Sequence, residues 1–226
     1  MGGTVKIYHG HPSPDVIEKC REAAPSYKHG AEWSHQKMTP HDWPYILDNG
    51  AFHAYKHNKP WDATAFVRRL NQLGSMPREP DFVVLPDVVT NPELTKKRSK
   101  EWAKIIDHPT AFPCQDGIKP DEATEFAQRI GARVLFIGGT REWKRENSEA
   151  LAEAAHDSGL KCHIGRPGNL VWARDVGADS VDLTSIARDG SYHRLEYLEN
   201  NGTQQQFLFA STDGGTTALS TTDSEQ

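Results

Sequence analysis

Short runs that are apolar throughout alternate along this chain with longer stretches whose apolar residues recur every three or four positions. Val5 to Gly10 reads as a first strand, closed by Gly10 and Pro12. Asp15 to Ala24 carries helical spacing, with Ser13 placed to cap it and Pro14 at its first position, where a missing N–H is harmless. The same pattern predicts a strand with its turn at Tyr45 to Phe52, and strands at Asp81–Asp87, Thr110–Gln115, Arg133–Gly139 and Lys161–Gly165. Between them, helices are predicted over Asp62–Leu73, Pro92–Ile106, Pro120–Ile130, Asn147–Ser158 and Asn169–Val176. Gly177 and Ala178 then turn into a buried strand that finishes in Asp182, with Arg188 shortly after.

Strands apolar along their whole length belong to a parallel sheet covered by helices on both faces. About seven βα units are legible, close to the eight of a TIM barrel, in a chain slightly shorter than the usual ~250 residues. No strand is followed by the Gly-x-Gly-x-x-Gly of a dinucleotide-binding doubly wound sheet. The expected fold is therefore α/β, a TIM-barrel-like (β/α)8 domain over residues 1–210, small or incomplete. Residues 25–45, irregular and rich in His, Trp and Pro, read as a long loop over one end. Gln206 to Phe209 is the candidate eighth strand. From Ser211 the chain holds little but Ser, Thr, Gly and acidic residues, too few apolar groups to offset the entropy of ordering, so 211–226 is expected to be a disordered polar tail.

Composition narrows the class. The chain has 226 residues, 36% of them hydrophobic, with no run of membrane-spanning length and no signal-peptide core after Met1, so a soluble cytoplasmic protein without membrane contact is expected. Cys20, Cys114 and Cys162 are too widely spaced for a Cys-x-x-Cys pair and read as buried reduced thiols. A net charge of −5 weighs against a nucleic-acid binder, although a basic groove can coexist with an acidic remainder. His9, His11 and His163 show no metal-ligand spacing, and neither a metal nor another cofactor is expected.

The chemistry-bearing residues stand at predicted strand ends: Asp48, Asp87, Gln115 with Asp116, Gly138 with Gly139, His163 with Gly165, and Asp182. In a barrel those ends converge on one cavity. Two carboxylates facing each other there can perform substitution at an anomeric carbon, one attacking and the other moving the proton. Asp and Gln side chains suit the polar edge of a purine. Glycines let main chain approach a flat ring or a phosphate. Each position also has a plainer role, as a loop cap for Asp182, a turn residue for Asp48 or a buried amide for Gln115.

Taken in order, these segments resemble a known family. Leu47-Asp48-Asn49-Gly50-Ala51-Phe52, Leu85-Pro86-Asp87-Val88-Val89-Thr90, Pro113-Cys114-Gln115-Asp116-Gly117, Phe136-Ile137-Gly138-Gly139-Thr140 and His163-Ile164-Gly165-Arg166-Pro167-Gly168 with Asp182 are similar to the motifs of the tRNA-guanine transglycosylase superfamily. The short length looks most like its phage and genomic-island branch (the DpdA family), which inserts 7-deazaguanines into DNA. The resemblance implies a base-exchanging glycosyltransferase with Asp182 as nucleophile and Asp48 as general acid/base. It makes Asp87, Gln115, Gly138, Gly139, His163 and Gly165 the substrate-binding positions. Its partners would be nucleic acid, DNA rather than tRNA, and a free 7-deazaguanine base; Arg141, Lys144 and Arg145, just past a strand end, are the candidates for the nucleic-acid backbone, together with Arg166 and Arg188. The family's zinc site is absent, since no cysteine follows Cys162. The competing expectation is a phosphate-binding barrel for a small metabolite, with Gly138-Gly139-Thr140 and Gly165-Arg166-Pro167-Gly168 as anion loops.

Overall fold

In a computed structural model, which describes residues 5–36 and 38–201, eight parallel strands close into a barrel in chain order. They are β1 (Lys6–Gly10), β2 (Lys28–Trp33), β3 (Tyr45–Leu47), β4 (Phe82–Val84), β5 (Thr110–Cys114), β6 (Val134–Ile137), β7 (Lys161–Ile164) and β8 (Ser180–Leu183). The ring is closed, not incomplete, because β8 returns to pair with β1, Lys6 against Ser180 through His9 against Leu183. The tail expected from Ser211 and the strand expected at Gln206–Phe209 lie outside the described residues. The eighth strand is instead β2, inside the stretch expected to be loop.

β2 escapes a pattern-based reading for a physical reason. Its six residues are Lys-His-Gly-Ala-Glu-Trp, so no apolar run marks it. Gly30 and Glu32 face the barrel interior, while Ala31 and Trp33 belong to the outer layer. A Cβ on Gly30 would stand 2.4 Å from the Pro44 carbonyl oxygen, which accepts the Ala31 N–H, so only glycine lets this strand lie so close to its neighbour. No helix follows β2 among the described residues, and the chain passes from Trp33 to Tyr45 through irregular structure.

The other units carry helices: α1 (Pro14–Ala23), α2 (Ala51–Lys56), α3 (Ala63–Gln72), α4 (Pro92–Trp102), α5 (Pro120–Arg129), α6 (Arg141–Asp157), α7 (Leu170–Asp175) and α8 (Ser185–Asp189), with further helical turns over residues 193–201. Proline begins α1, α4 and α5, and side chains of Asp62, Asn91, Thr140 and Asn169 cap α3, α4, α6 and α7. Helix α6 starts six residues before the expected Asn147, because Thr140 caps it directly after the strand-end glycines. Outward-facing strand residues such as Ile7, Leu135 and Val181 pack on the helices, whereas Tyr8, Ile46, Phe82, Val84, Ala111 and Val134 fill the interior. That interior packing stops short of the C-terminal strand ends, and there the polar residues begin. None of the described helices is long and apolar enough to cross a membrane.

Candidate active site at the carboxyl ends of the strands

A cavity of about 380 Å³ opens at the C-terminal ends of the strands. Glu32 (β2), Asp48 (after β3), Asp87 (after β4) and Asp182 (β8) line it, as do Gln115, Phe136, Gly138, Gly139, Arg166 and Arg188. The strand-end carboxylates that lie far apart in the chain thus share one chamber. The sequence pattern misses Glu32, together with Ser34, His35, Phe52 and His53 at the rim. The one signal in the sequence is the long loop expected over residues 25–45, rich in His, Trp and Pro, which holds Glu32, Ser34 and His35 but not Phe52 or His53.

Asp182 sits in a built environment. Its Oδ1 accepts from His163 Nε2 at 3.0 Å and from the Arg166 main-chain N–H at 3.1 Å. His163 Nδ1 meets Ser180 Oγ at 2.9 Å, so the imidazole is oriented with Nε2–H toward the carboxylate. Burial works against charge on Asp182, but the His163 hydrogen bond and the nearby cations outweigh it and hold the carboxyl below its usual value. His163 itself is wholly buried, stacked on Phe136 at 4.6 Å, and does not line the cavity. Its place is behind Asp182 rather than against a ligand. Gly165 also stands behind the wall: a Cβ there would come within 2.7 Å of the Phe136 ring.

Asp48 and Glu32 move the other way. Burial raises the Asp48 carboxyl, the Gly50 N–H donated to its Oδ1 at 2.6 Å partly offsets this, and the Asp182 charge adds to the rise. Glu32 is only 8% exposed, and burial followed by the Asp182 and Asp48 charges pushes it well above the usual glutamate value. Its Oε2 is sealed from solvent and has no hydrogen-bond partner. Asp87 is raised to about 6 by burial and the Asp48 charge. It is held as a fixed acceptor, with Oδ1 taking Asn49 Nδ2 at 3.0 Å and Oδ2 taking Gln115 Nε2 at 2.6 Å, and its own carbonyl taking Arg98 at 2.7 Å.

The cations divide by position. Arg166 adopts a left-handed backbone at φ 46° and reaches across the mouth from β7 to lay its guanidinium 3.4 Å from the centre of the Phe52 ring on α2. Arg188 stands exposed at the rim. Lys144 is buried in α6, with Nζ donating to the Gly165 and Arg166 carbonyls, and burial lowers it to about 8. It braces the β7 loop and is not available to a nucleic-acid backbone. Arg145 lies over Trp172 at 5.2 Å and Arg141 is exposed at the start of α6; neither lines the cavity. The Gly138-Gly139-Thr140 turn already holds an internal anion: Asp116 accepts from both Thr140 N and Thr140 Oγ1 at 2.7 Å.

One group of three potential metal ligands occurs among the described residues, His9, Cys20 and His29, buried between β1, β2 and α1 on the far side of the sheet from the cavity. Cys20 Sγ contacts His9 Nδ1 at 3.8 Å, His9 Nε2 meets His29 Nδ1 at 3.0 Å, and His29 Nε2 meets the Ala24 carbonyl at 3.0 Å. With one proton on each donor this chain satisfies every ring nitrogen without a metal.

No protein-family model matches the chain, and no curated protein matches its sequence. Its fold does match solved structures. A variant of the tryptophan synthase alpha-subunit from the hyperthermophile Pyrococcus furiosus aligns over 88% of this chain and 96% of its own, at 16% identity and a TM-score of 0.51. The YdjI aldolase from Escherichia coli aligns over 91% of both chains at 12% identity and 0.46, and a 3-hexulose-6-phosphate synthase over 86% of this chain and 99% of its own at 11% and 0.45. The chain is a TIM barrel. At these identities the likeness establishes the fold and nothing about the reaction.

The resemblance to tRNA-guanine transglycosylases is not upheld. The fold match that carries weight, at a TM-score of 0.51, is to a tryptophan synthase alpha-subunit and not to a transglycosylase, and no family model or curated sequence supports the resemblance. With it go base exchange, the phage and DNA-modification assignment, and the expected DNA, tRNA and 7-deazaguanine partners. The five matching segments are short and sit where any barrel puts polar residues, at strand ends, so their order follows from the fold itself.

Proposed function

We propose that this barrel is an enzyme for a small metabolite bearing a phosphate or comparable anionic group, with Asp48 as general acid and Asp182 as general base. The observation that carries the reading is the opposite displacement of two carboxyls in one cavity. The His163 hydrogen bond and the Arg166 N–H favour the charged form of Asp182 and hold it below its usual value, while burial and the Asp182 charge raise Asp48 above its own. Environments that drive paired carboxyls apart supply an acid and a base at the same pH. A cavity of about 380 Å³ is of metabolite size.

The anionic end of the substrate is assigned to the β7 and β8 loops, where Arg166, Thr184 and Arg188 line the rim. Barrels frequently bind phosphate at this place. The β6 loop is the weaker candidate, because Asp116 already occupies its donors.

Ligand-observed NMR and thermal shift with phosphorylated metabolites, each beside its dephosphorylated counterpart, test the reading. Phosphorylated compounds are expected to bind and their counterparts not to. For a binder that is turned over, Asp182→Asn is expected to lower kcat by roughly 10²–10⁴-fold while binding persists. Indifference to every phosphorylated compound, or an Asp182→Asn protein as active as the parent, would overturn it.

A further inference from the structure

Glu32 has no role in the acid–base pair just proposed, yet it lines the same chamber. It is a glutamate only 8% exposed, on the interior face of β2, with Oε2 sealed from solvent and bonded to nothing. An ionised carboxylate with one oxygen in that condition would carry uncompensated charge in the protein interior, which is strongly unfavourable. Asp182 and Asp48 line the same cavity, and charge on either opposes ionisation further. Arg166 is the cation that opposes this trend, and its guanidinium is engaged with Phe52. A carboxyl so placed favours its neutral form, whose O–H can be donated to an acceptor inside the cavity.

A neutral donor and an ionised base in one chamber suit a particular class of substrate. From this geometry we infer that Glu32 is a catalytic residue that hydrogen-bonds a carbonyl oxygen of the substrate while Asp182 takes the proton from the adjacent carbon. The substrate class is then a phosphorylated aldehyde or ketone with an enolisable C–H. This inference rests on the function proposed above and sharpens it: Asp182 remains the base, and at the carbonyl oxygen Glu32, not Asp48, is the acid.

The step balances as follows. Asp182 Oδ accepts the proton as the C–H bond breaks, and the freed electron pair forms a carbon–carbon double bond. The carbonyl π pair moves onto oxygen, which takes the proton from Glu32. The products are an enol, a protonated Asp182 and an ionised Glu32. Reversal with proton exchange at Asp182 returns solvent hydrogen to carbon. No oxidant, reductant or second substrate is needed. Orienting a neutral carboxylic acid toward a developing oxyanion is an established way for a buried acid to act.

The test is deuterium incorporation from D₂O, followed by proton NMR, with dihydroxyacetone phosphate, glyceraldehyde phosphate and ribulose phosphate as probes and glycerol phosphate as the carbonyl-free control. Exchange is expected at the carbon beside the carbonyl of at least one probe, and none in glycerol phosphate. Glu32→Leu removes the donor and is expected to lower the exchange rate by roughly 10²–10³-fold. Glu32→Gln keeps an N–H donor that does not titrate, so it recovers much of that loss. It should also remove the decline at alkaline pH that ionisation of Glu32 imposes on the parent. A merely structural Glu32 would leave that alkaline limb in place. Should Glu32→Leu fail to fold, the pH profile of Glu32→Gln decides alone. Probes that bind without exchanging, or exchange that Glu32→Leu leaves intact, would overturn this inference and spare the parent reading. Failure of every phosphorylated probe to bind would overturn the parent reading itself.

Discussion

At the N-terminal end of the barrel, Asp81 accepts from Lys6 Nζ at 2.7 Å, from Tyr8 OH at 2.6 Å and from Arg78 at 3.3 Å. At the opposite end, Glu32, Asp48, Asp87 and Asp182 crowd one cavity, and Glu32 Oε2 has no partner at all. Both ends cap the same interior stack of Tyr8, Ile46, Phe82 and their neighbours. The lower end pairs a carboxylate with more donors than it needs, which secures the barrel's base. The upper end brings like groups together and leaves one oxygen unsatisfied, a costly arrangement that helps no fold. On the function proposed above, this is where stability is given up for chemistry.

The largest expected effect tests the lower end. Asp81→Ala strips the acceptor from the buried Tyr8 hydroxyl and from Lys6, and is expected to cost about 2–3 kcal/mol in urea unfolding. A loss below about 0.5 kcal/mol would break the contrast, because the lower end would then be no better paired than the upper.

Next comes the converse at the top. Replacing a buried, poorly compensated ionisable group by an apolar one stabilises by about 1 kcal/mol or more, so Glu32→Leu should unfold at higher urea than the parent. The sign of its pH dependence follows from the direction of the shift. Carboxyls raised in the folded state favour folding at low pH, and that advantage disappears as pH rises through their folded value, about 6 for Asp87. The gain from Glu32→Leu should therefore be larger at about pH 8 than at about pH 5. An equal gain at both would mean that Glu32 is not held neutral.

Histidines set the acid limb. Burial, with the neighbouring His29, lowers His9 to about 3, and burial, with His35, Arg69 and His53, lowers His11 to about 4. Groups lowered in this way stabilise the fold above the ordinary value of 6.5, and the stabilisation is lost as pH falls from there toward 4 and 3. Thermal unfolding followed by circular dichroism should show this loss in the parent and in Glu32→Leu alike. Its absence would mean that the His9–His29 chain opens to solvent.

The smallest effect concerns the mouth. Phe52→Leu removes the ring beneath Arg166 and frees the guanidinium for an anion. Affinity for inorganic phosphate should rise about two- to five-fold, the equivalent of ~0.5–1 kcal/mol of lost cation–π contact. A fall in affinity would show that Phe52 presents Arg166 to the ligand rather than diverting it.

Much of the barrel was legible because seven of its strands are marked by apolar runs or by strand-end turns, and burial on both faces leaves that trace. β2 left none: its interior positions are Gly30 and Glu32, one chosen for closeness to Pro44 and the other for the cavity. The start of α6 was misplaced for a related reason. Thr140 caps the helix through its own hydroxyl, while Asp116 from another loop binds Thr140, and no local pattern records that second contact. Lys144 shows the same limit. As a lysine near a strand end it suggested an exposed phosphate contact, yet α6 turns it inward onto the Gly165 and Arg166 carbonyls.

The order of residue types along the chain determined the alternation of strands and helices, and with it the barrel, because apolar periodicity is a local property that each segment carries by itself. It also placed Asp48, Asp87 and Asp182 at strand ends. Only the closed structure decided that these carboxyls meet, that Glu32 joins them, and in which direction the acidity of each is shifted. Those outcomes depend on distances between segments up to 150 residues apart, as from Glu32 to Asp182, and on how deeply each group is buried, and neither quantity exists until the ring is closed.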